Sequence, residues 1–387
     1  MSEKERLIRK WVSHRLDIEV ERSLLNLRRA PDVQHLSVMP DVHLAKEVCI
    51  GTVLATNSVV YPMAVGGDIG CGILAIKLDV EADLFANETR AAQLLSGLYR
   101  TIPTNRHSSE TMLHSIGDNL NEWALSDPSL EKIKSRDAKV QLGTLGRGNH
   151  FLEFQSDPNG ALWLMIHSGS RAIGQSITRY HLDRAAERIA AKLNRTAPVL
   201  IGLDTSKQEG KSYLNDMQWA RQYASENRLA MMRVTIDLLR SKWNVRADHD
   251  SLIHTDHNHV QFETHFGNSF LVHRKGAQRL APSQFGIVPG SMGTCSFLVS
   301  GRGNVLALQS CSHGAGRRLS RTEAKKKITS KRFEAQMKHV WFDRRKSNRL
   351  RDESPEAYKD IREVMRSQRD LVRIVSEQNP VLNFKGG

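Results

Sequence analysis

The spacing of apolar positions changes several times along the chain, and each change predicts a change of element. Val20, Leu24 and Leu27 fall on helical spacing ahead of Pro31, which predicts an amphipathic helix over residues 17–30. From Val33 to Asp79 the apolar runs are short and broken by Gly, Asp and Pro, the pattern of strands joined by tight turns. Residues 82–135 read as mainly helical and polar. Residues 139–167 return to strands, at Val140-Gln-Leu, Phe151-Leu-Glu-Phe and Leu162-Trp-Leu-Met-Ile. A helix is predicted over 176–194 and a longer one over 213–243. The longer one has an apolar stripe of Tyr213, Met217, Ala220, Ala224, Met231, Val234 and Leu238. Asn227 interrupts that stripe. A buried amide needs partners, so Asn227 is expected in local structural hydrogen bonds. Residues 252–310 read as strands and turns. Ser320 and Glu323 form a capping box that should start a helix, opening a basic helical segment at about 317–351. Strands and helices mix without steady βαβ alternation, which predicts an α+β fold. No linker composition interrupts the chain, so residues 1–387 are expected to form a single catalytic domain with mixed β-sheets at its core and peripheral helices.

Composition narrows the class. With 387 residues, 40% hydrophobic and 25% charged, the chain is long enough for a large core and is neither a disordered nor a fibrous composition. It holds no run of eighteen apolar residues, so no membrane span is expected. Its first residues mix acids with bases and lack the apolar stretch of a signal peptide. Four cysteines, Cys49, Cys71, Cys295 and Cys311, are too few for a disulfide framework, and a reducing cytoplasmic compartment is expected. The net charge is +14, and residues 317–351 hold 14 bases against 3 acids, or +11. Such a concentration suits a polyanion, because each neutralised phosphate releases counterions. A solvated helical face would look the same on charge alone.

Five polar motifs, most of them Gly-rich, stand near predicted strand ends. In Gly66-Gly-Asp68-Ile-Gly-Cys71-Gly72 a carboxylate and a thiol three residues apart can converge across a tight turn and hold a metal, or the Cys is a buried structural residue. The run Gly143 to Glu153 offers backbone N–H groups followed by Asn149-His150. His167-Ser-Gly-Ser170-Arg171 joins a strand end to a helix start, where anions bind or a cap forms. His254-Thr-Asp256-His257-Asn258-His259 supplies ordinary metal-site ingredients. His313 stands on a Gly-rich turn ahead of Arg317, Arg318 and Arg321, a placement suited to covalent catalysis at phosphorus. Convergence on one metal–phosphate site accounts for these motifs better than five unrelated turns.

The chain closely resembles the RtcB family of GTP-dependent RNA ligases. The resemblance is carried, in order, by Met39-Pro-Asp-Val-His43, Val65-Gly-Gly-Asp-Ile-Gly-Cys-Gly72, Gly143-Thr-Leu-Gly-Arg-Gly-Asn-His-Phe-Leu-Glu153 and His167-Ser-Gly-Ser-Arg171. It continues through His257-Asn258, His273-Arg-Lys-Gly-Ala277, Pro289-Gly-Ser-Met-Gly293, Ser312-His-Gly-Ala-Gly-Arg317 and Lys385-Gly386. It implies two Mn(II) ions held by Asp68, Cys71, His150, His167 and His257, and His313 as the nucleophile that takes GMP from GTP. The implied nucleotide site comprises Asn149, His150, Phe151, Leu152, Glu153, His257, Asn258, Pro289, Gly290, Ser291, Met292, Ser296, His313, Gly314, Ala315, Gly316 and Lys385, with Glu153 and Lys385 reading the guanine edge. Arg171, Arg317 and Arg321 are expected to hold transferring and RNA phosphates. The implied reaction joins an RNA 3′-phosphate or 2′,3′-cyclic phosphate to a 5′-hydroxyl, in RNA repair or tRNA splicing. Donor softness by itself would favour zinc over manganese for a Cys/His set, so Mn(II) follows from the resemblance alone. Ala45, Glu47 and Ala172 stand where the family commonly has Gly, which suits a paralogous branch with altered substrate preference. Two other readings share the motifs: a metal-dependent RNA phosphodiesterase that does not seal, and a non-catalytic RNA-binding protein.

Overall fold

A computed structural model describes residues 8–108, 116–193 and 200–386. The fold is α+β, as the lack of βαβ alternation predicted. Two large sheets carry it. The seven-stranded sheet runs, edge to edge, Phe285–Val288, Ser296–Gly301, Val372–Phe384, Phe151–Ser156, Ala161–Ser168, Gly72–Glu81 and Ala247–Asp256, every neighbour antiparallel. The five-stranded sheet runs Ile8–Lys10, Val33–His43, Ile50–Thr56, Asn268–Lys275 and Asn258–His265, parallel only at its first pair. His257 is the residue between strands Ala247–Asp256 and Asn258–His265, so the chain crosses from one sheet to the other at that histidine.

Helices cover the sheets by the faces their sequences dictate. The helix Ile18–Arg29 buries Val20, Leu24 and Leu27, the predicted stripe. The helix Gln208–Trp243 has 36 residues, which makes it about 54 Å long at 1.5 Å per residue. It begins five residues before the predicted start and ends where predicted, with Asn244 left-handed at its C-cap. Tyr213, Met217, Ala220, Ala224 and Met231 of the predicted stripe are buried. Near its end the buried positions are Thr235 and Leu239, while Val234 and Leu238 are half-buried. Met231, Met232 and Leu239 pack with Leu74, Ile76 and Leu164 of the seven-stranded sheet. Tyr213, Met217 and Trp219 pack with Ile173 and Ile177 of the helix Arg171–Leu193. No helix among the described residues is long and apolar enough to cross a membrane.

Three local readings are corrected. Val140 and Gln141 end a helix, Pro128–Gln141, rather than forming a strand. Pro128 at its first turn and an Asp127 N-cap that accepts from Ser129 N–H outweigh the local β-propensity of one valine. The helix expected from 176 begins at Arg171, because the Ser-Gly-Ser turn already supplies its start; Asn194, its expected end, lies outside the described residues, as do 109–115 of the predicted helical stretch. The basic segment is not one helical tail. It is the short helices Arg321–Lys327, Ser330–Gln336 and Ser347–Leu350 with 3-10 turns between them, opened by the predicted Ser320/Glu323 capping box.

Candidate metal and nucleotide-transfer site

Four of the five predicted ligands stand beside or near the end of a strand of the seven-stranded sheet. Cys71 precedes Gly72–Glu81, His150 precedes Phe151–Ser156, His167 closes Ala161–Ser168, and His257 follows Ala247–Asp256. Strand register aligns them: Ile73 and Phe151 both pair with His167, and Gly72 pairs with both Ser168 and Asp256. Asp68 joins them through the tight turn the sequence predicted, in which Cys71 N–H donates to Asp68 O at 3.1 Å. Gly70 makes that turn possible: its φ is +66°, and a Cβ there would lie 2.8 Å from Arg221 Cα.

The donors fall into two triads that share the sulfur, Cys71–His167–His257 and Asp68–Cys71–His150. Cys71 Sγ lies 3.5 Å from His150 Nε2 and 3.2 Å from His167 Nε2, while His167 Nε2 is 3.3 Å from His257 Nε2. His150 Nε2 is 2.8 Å from Asp68 Oδ2. Backbone carbonyls fix two of the imidazoles from behind, Leu145 O at 3.1 Å from His150 Nδ1 and Asn149 O at 3.2 Å from His167 Nδ1, which directs each Nε2 inward. Burial drives His167 and His257 well below the ordinary histidine range, so both are neutral and able to ligate. Burial pushes Asp68 up, but the charge and hydrogen bond of His150 outweigh it and bring the carboxyl to about 2. Burial and the Asp68 carboxylate push the Cys71 thiol well up. A thiol so placed, among imidazoles and a carboxylate, needs a bound cation to become the thiolate. The donor set fits bound metal, with Cys71 common to both triads.

Beneath the triads, two adjacent residues of the long helix hold the ligand-bearing backbone. Asn227 Oδ1 accepts from Gly143 N–H at 2.8 Å and Thr144 N–H at 3.2 Å, and its Nδ2 donates to Thr144 O and Ser168 Oγ, each at 3.1 Å. Arg228 Nη1 donates to Gly70 O at 2.7 Å and Ser168 O at 2.8 Å, and its Nε donates to His254 Nε2 at 2.8 Å. Asn227 has the structural role expected of it, but with partners on distant segments of the chain rather than local ones. The role of Arg228 had no signal in the local pattern.

In front of the metal donors opens a cleft of about 1270 Å³. His313 lies on its wall, 4.8 Å from His257 between ring centroids. Its Nδ1 donates to Asp41 Oδ2 at 2.6 Å, and its backbone N–H reaches the same oxygen at 3.2 Å. Asp41 is fully buried, and Lys359 Nζ pins its strand by donating to Pro40 O at 3.1 Å and Val42 O at 2.5 Å. With the proton held on Nδ1, the Nε2 lone pair is left for attack. Gly276 accommodates the ring, since a Cβ there would sit 3.2 Å from His313 Cε1.

Most of the expected nucleotide residues line this cleft: Asn149, Phe151, Glu153, Pro289 to Met292, Ser296, His313 to Gly316 and Lys385. Two do not. Leu152 is buried in the core beside Leu74, and Asn258 spends its side chain inside the protein, donating to Asp68 O at 3.0 Å and accepting from Gly276 N–H at 2.8 Å. His150 and His257 do not line the cleft and belong to the candidate metal triads. Glu153 accepts from Gln155 Nε2 and Asn383 Nδ2, and burial pushes its carboxyl up to about 8. Lys385 lies over the Phe151 ring, 5.8 Å from its centroid, and donates to Glu353.

The three arginines expected at phosphates are already held by the protein. Arg171 adopts a left-handed backbone, φ +59°, which turns its guanidinium toward Thr144 Oγ1, Thr104 O and His150 Nδ1 and away from the cleft wall. Arg317 and Arg321 do line the cleft, but both pair with Glu353, which also receives Lys385 and the Tyr358 hydroxyl. Burial pushes Glu353 up, and Lys385, Arg321 and Arg317 outweigh it and hold it at about 2. Asp41 and Glu353 were not singled out from the sequence. Asp41 sat inside a quoted motif, while Glu353 lies just past the basic segment and carried no local signal.

Comparison with known proteins decides the kinship. A family model described as tRNA-splicing ligase RtcB matches residues 23–386. The chain belongs to the RtcB family. It is similar to the RNA-splicing ligase RtcB of Escherichia coli strain K12, 36% identical over 96% of this chain and 95% of that one. It is also similar to the tRNA-splicing ligase RtcB of Methanococcus maripaludis, 30% identical over 90% and 87%, and to the RNA-splicing ligase RtcB homolog 1 of Entamoeba histolytica, 29% identical over 94% and 83%. Of the motifs quoted above, those around Pro40, Asn149, His167, Pro289, His313 and Lys385 all place residues on one cleft.

Proposed function

We propose that this chain is a GTP-dependent RNA ligase that joins an RNA 3′-phosphate or 2′,3′-cyclic phosphate to a 5′-hydroxyl, with two Mn(II) ions and a histidine–GMP intermediate. The observation that carries the reading is His313, its Nδ1 tied to a buried carboxylate, standing against a metal-ligand imidazole in a cleft lined by glycines and cations. Asp68, Cys71, His150, His167 and His257 are the residues that would hold the metals, whose chemistry is to neutralise phosphate charge and orient attack. In the reaction proposed, His313 Nε2 bonds to the α-phosphorus of GTP and the bond to the β-phosphate oxygen breaks, releasing pyrophosphate. Asp41 keeps the Nδ1 proton and offsets the positive charge that develops on the ring. An oxygen of the RNA 3′-phosphate then displaces His313 and takes the GMP, and the 5′-hydroxyl oxygen attacks the activated 3′-phosphate and releases GMP. Opening a cyclic end precedes these steps.

Glu153 is proposed to accept from the guanine edge, as a buried acidic residue on the wall. The basic residues around Arg317 and Arg321 are proposed to track RNA phosphates, with Glu353 setting where their guanidinium groups point. Incubation with α-labelled GTP and Mn(II), followed by RNA fragments ending in 3′-phosphate and 5′-hydroxyl, tests the reading. A labelled protein adduct followed by a sealed product is expected. Cleavage of the cyclic end with neither adduct nor sealing would instead identify a phosphodiesterase.

A further inference from the structure

A second pocket lies between the helix Gln208–Trp243 and the end of the strand Ala247–Asp256, and no step of the proposed reaction uses it. It measures about 300 Å³ and shares no residue with the cleft. One wall is a face of the helix Gln208–Trp243, with Gln218, Arg221, Gln222, Ser225 and Arg228 recurring at three- and four-residue spacing. The other wall is the strand end His254, Thr255 and Asp256, just ahead of His257.

Its chemistry is that of unspent donors. Arg228 is 2% exposed, and among the described residues it makes no ion pair and its Nη2 makes no hydrogen bond. A buried guanidinium without a counter-charge is costly. Nearby Asp256 acts on Arg228 only at range, because Arg221 grips both its oxygens and His259 Nδ1 lies 3.0 Å away. Arg279, also on the pocket wall, has a buried Nε without a hydrogen bond and lies 3.4 Å from Glu263. The Gln218 and Gln222 amides and the Ser225 hydroxyl make no hydrogen bond within the protein among the described residues. His254 accepts at Nε2, which leaves its Nδ1 as a donor. Three arginines, Arg221, Arg228 and Arg279, stand against one carboxylate, Asp256, in the lining of this cavity.

We propose that this pocket binds a phosphate group, carried by a small phosphomonoester or by one nucleotide of an RNA strand. The volume admits a phosphate with its ribose and little more. Occupancy would be felt at the metal centre, because Arg228 also holds the carbonyls of Gly70 and Ser168, neighbours of ligands Cys71 and His167.

The four native cysteines are buried, so Ser225→Cys places one accessible thiol on the pocket wall of the full-length, metal-loaded protein. Its alkylation by N-ethylmaleimide is followed against rising inorganic phosphate. Saturable slowing is expected, and adding Gln222→Glu, which sets a carboxylate at the rim, should raise the half-saturating phosphate roughly tenfold. Slowing by a short RNA with hydroxyls at both ends, at lower concentration than inorganic phosphate, supports a strand phosphate as occupant. Slowing by inorganic phosphate and CMP but not by that RNA supports a free small phosphate. A labelling rate indifferent to all three, or slowing that Gln222→Glu leaves unchanged, overturns the proposal. Because the readout requires no sealing, it fails or succeeds separately from the ligase reading.

Discussion

His313 and Asp41 make one unit of nucleophile and orienting carboxylate, 272 positions apart in sequence and 2.6 Å apart in space. His313→Ala is expected to abolish the GMP adduct, measured by label retained on denatured protein, while metal content stays near wild type. Asp41→Asn keeps the shape but accepts the Nδ1 proton less well, so adduct formation should slow by about 10²–10⁴-fold. Cys71 is the sulfur common to both triads. Cys71→Ser replaces a thiolate by a neutral hydroxyl, so metal content, adduct and sealing should fail together. Full metal content in that variant would count against a shared sulfur. Glu153 gives a pH signature. Its folded pKa, about 8, lies above its ordinary value of 4.5, so the folded state binds more protons than the unfolded chain between these limits. Stability from this group is therefore present below about 4.5 and falls as pH rises through 8. Glu153→Gln should flatten the thermal midpoint over that window, with its largest gain over wild type at the alkaline end.

Among the elements, the helix Gln208–Trp243 is more than packing. Its midpoint pair Asn227–Arg228 fastens the backbone at Gly70, Gly143, Thr144 and Ser168, where the ligand-bearing segments begin or end. Asn227→Ala leaves buried N–H groups without an acceptor, a cost of about 1–3 kcal/mol. Urea unfolding should show that loss, and metal affinity should fall with it. The short basic helices behave differently. Lys325, Lys326 and Lys327 are exposed, and their links to Asp352 at 3.6 Å and Glu323 at 3.8 Å are surface pairs of small worth. If they meet RNA phosphates, replacing all three with Gln should reduce the log–log salt slope of RNA binding by roughly 2–3. An unchanged slope would return them to a solvated face.

At the scale of the molecule, the metal donors sit where the two large sheets meet. Cys71, His150 and His167 belong to the ends of the seven-stranded sheet, and His257 is the residue at which the chain passes into the five-stranded one. Bound metal should therefore act as a fastener between sheets, as well as a reagent. Metal at about one hundred times its dissociation constant should stabilise the fold by about 2.7 kcal/mol per site, so chelation should lower the thermal midpoint. The Cys71→Ser midpoint should be indifferent to chelator. A wild-type midpoint equally indifferent would mean that the sheets hold the donors together unaided.

Local chemistry was legible where its cause is local. Helical spacing placed Val20, Leu24 and Leu27 inward, the Ser320/Glu323 capping box opened a helix, and the Gly-flanked turn brought Asp68 to Cys71. Donor types near strand ends also announced a candidate metal centre, since few other environments gather Cys, His and Asp beside glycines. Tertiary structure decided what those residues touch. It turned Arg171 toward His150 through one left-handed residue, gave Arg317, Arg321 and Lys385 a common anchor in Glu353, and set Asp41 under His313. It also put Leu152 in the core and closed a polar pocket around Arg228. The reason is physical: spacing records which way a side chain points from its own element, whereas a hydrogen-bond partner hundreds of positions away is chosen only when sheets and helices pack.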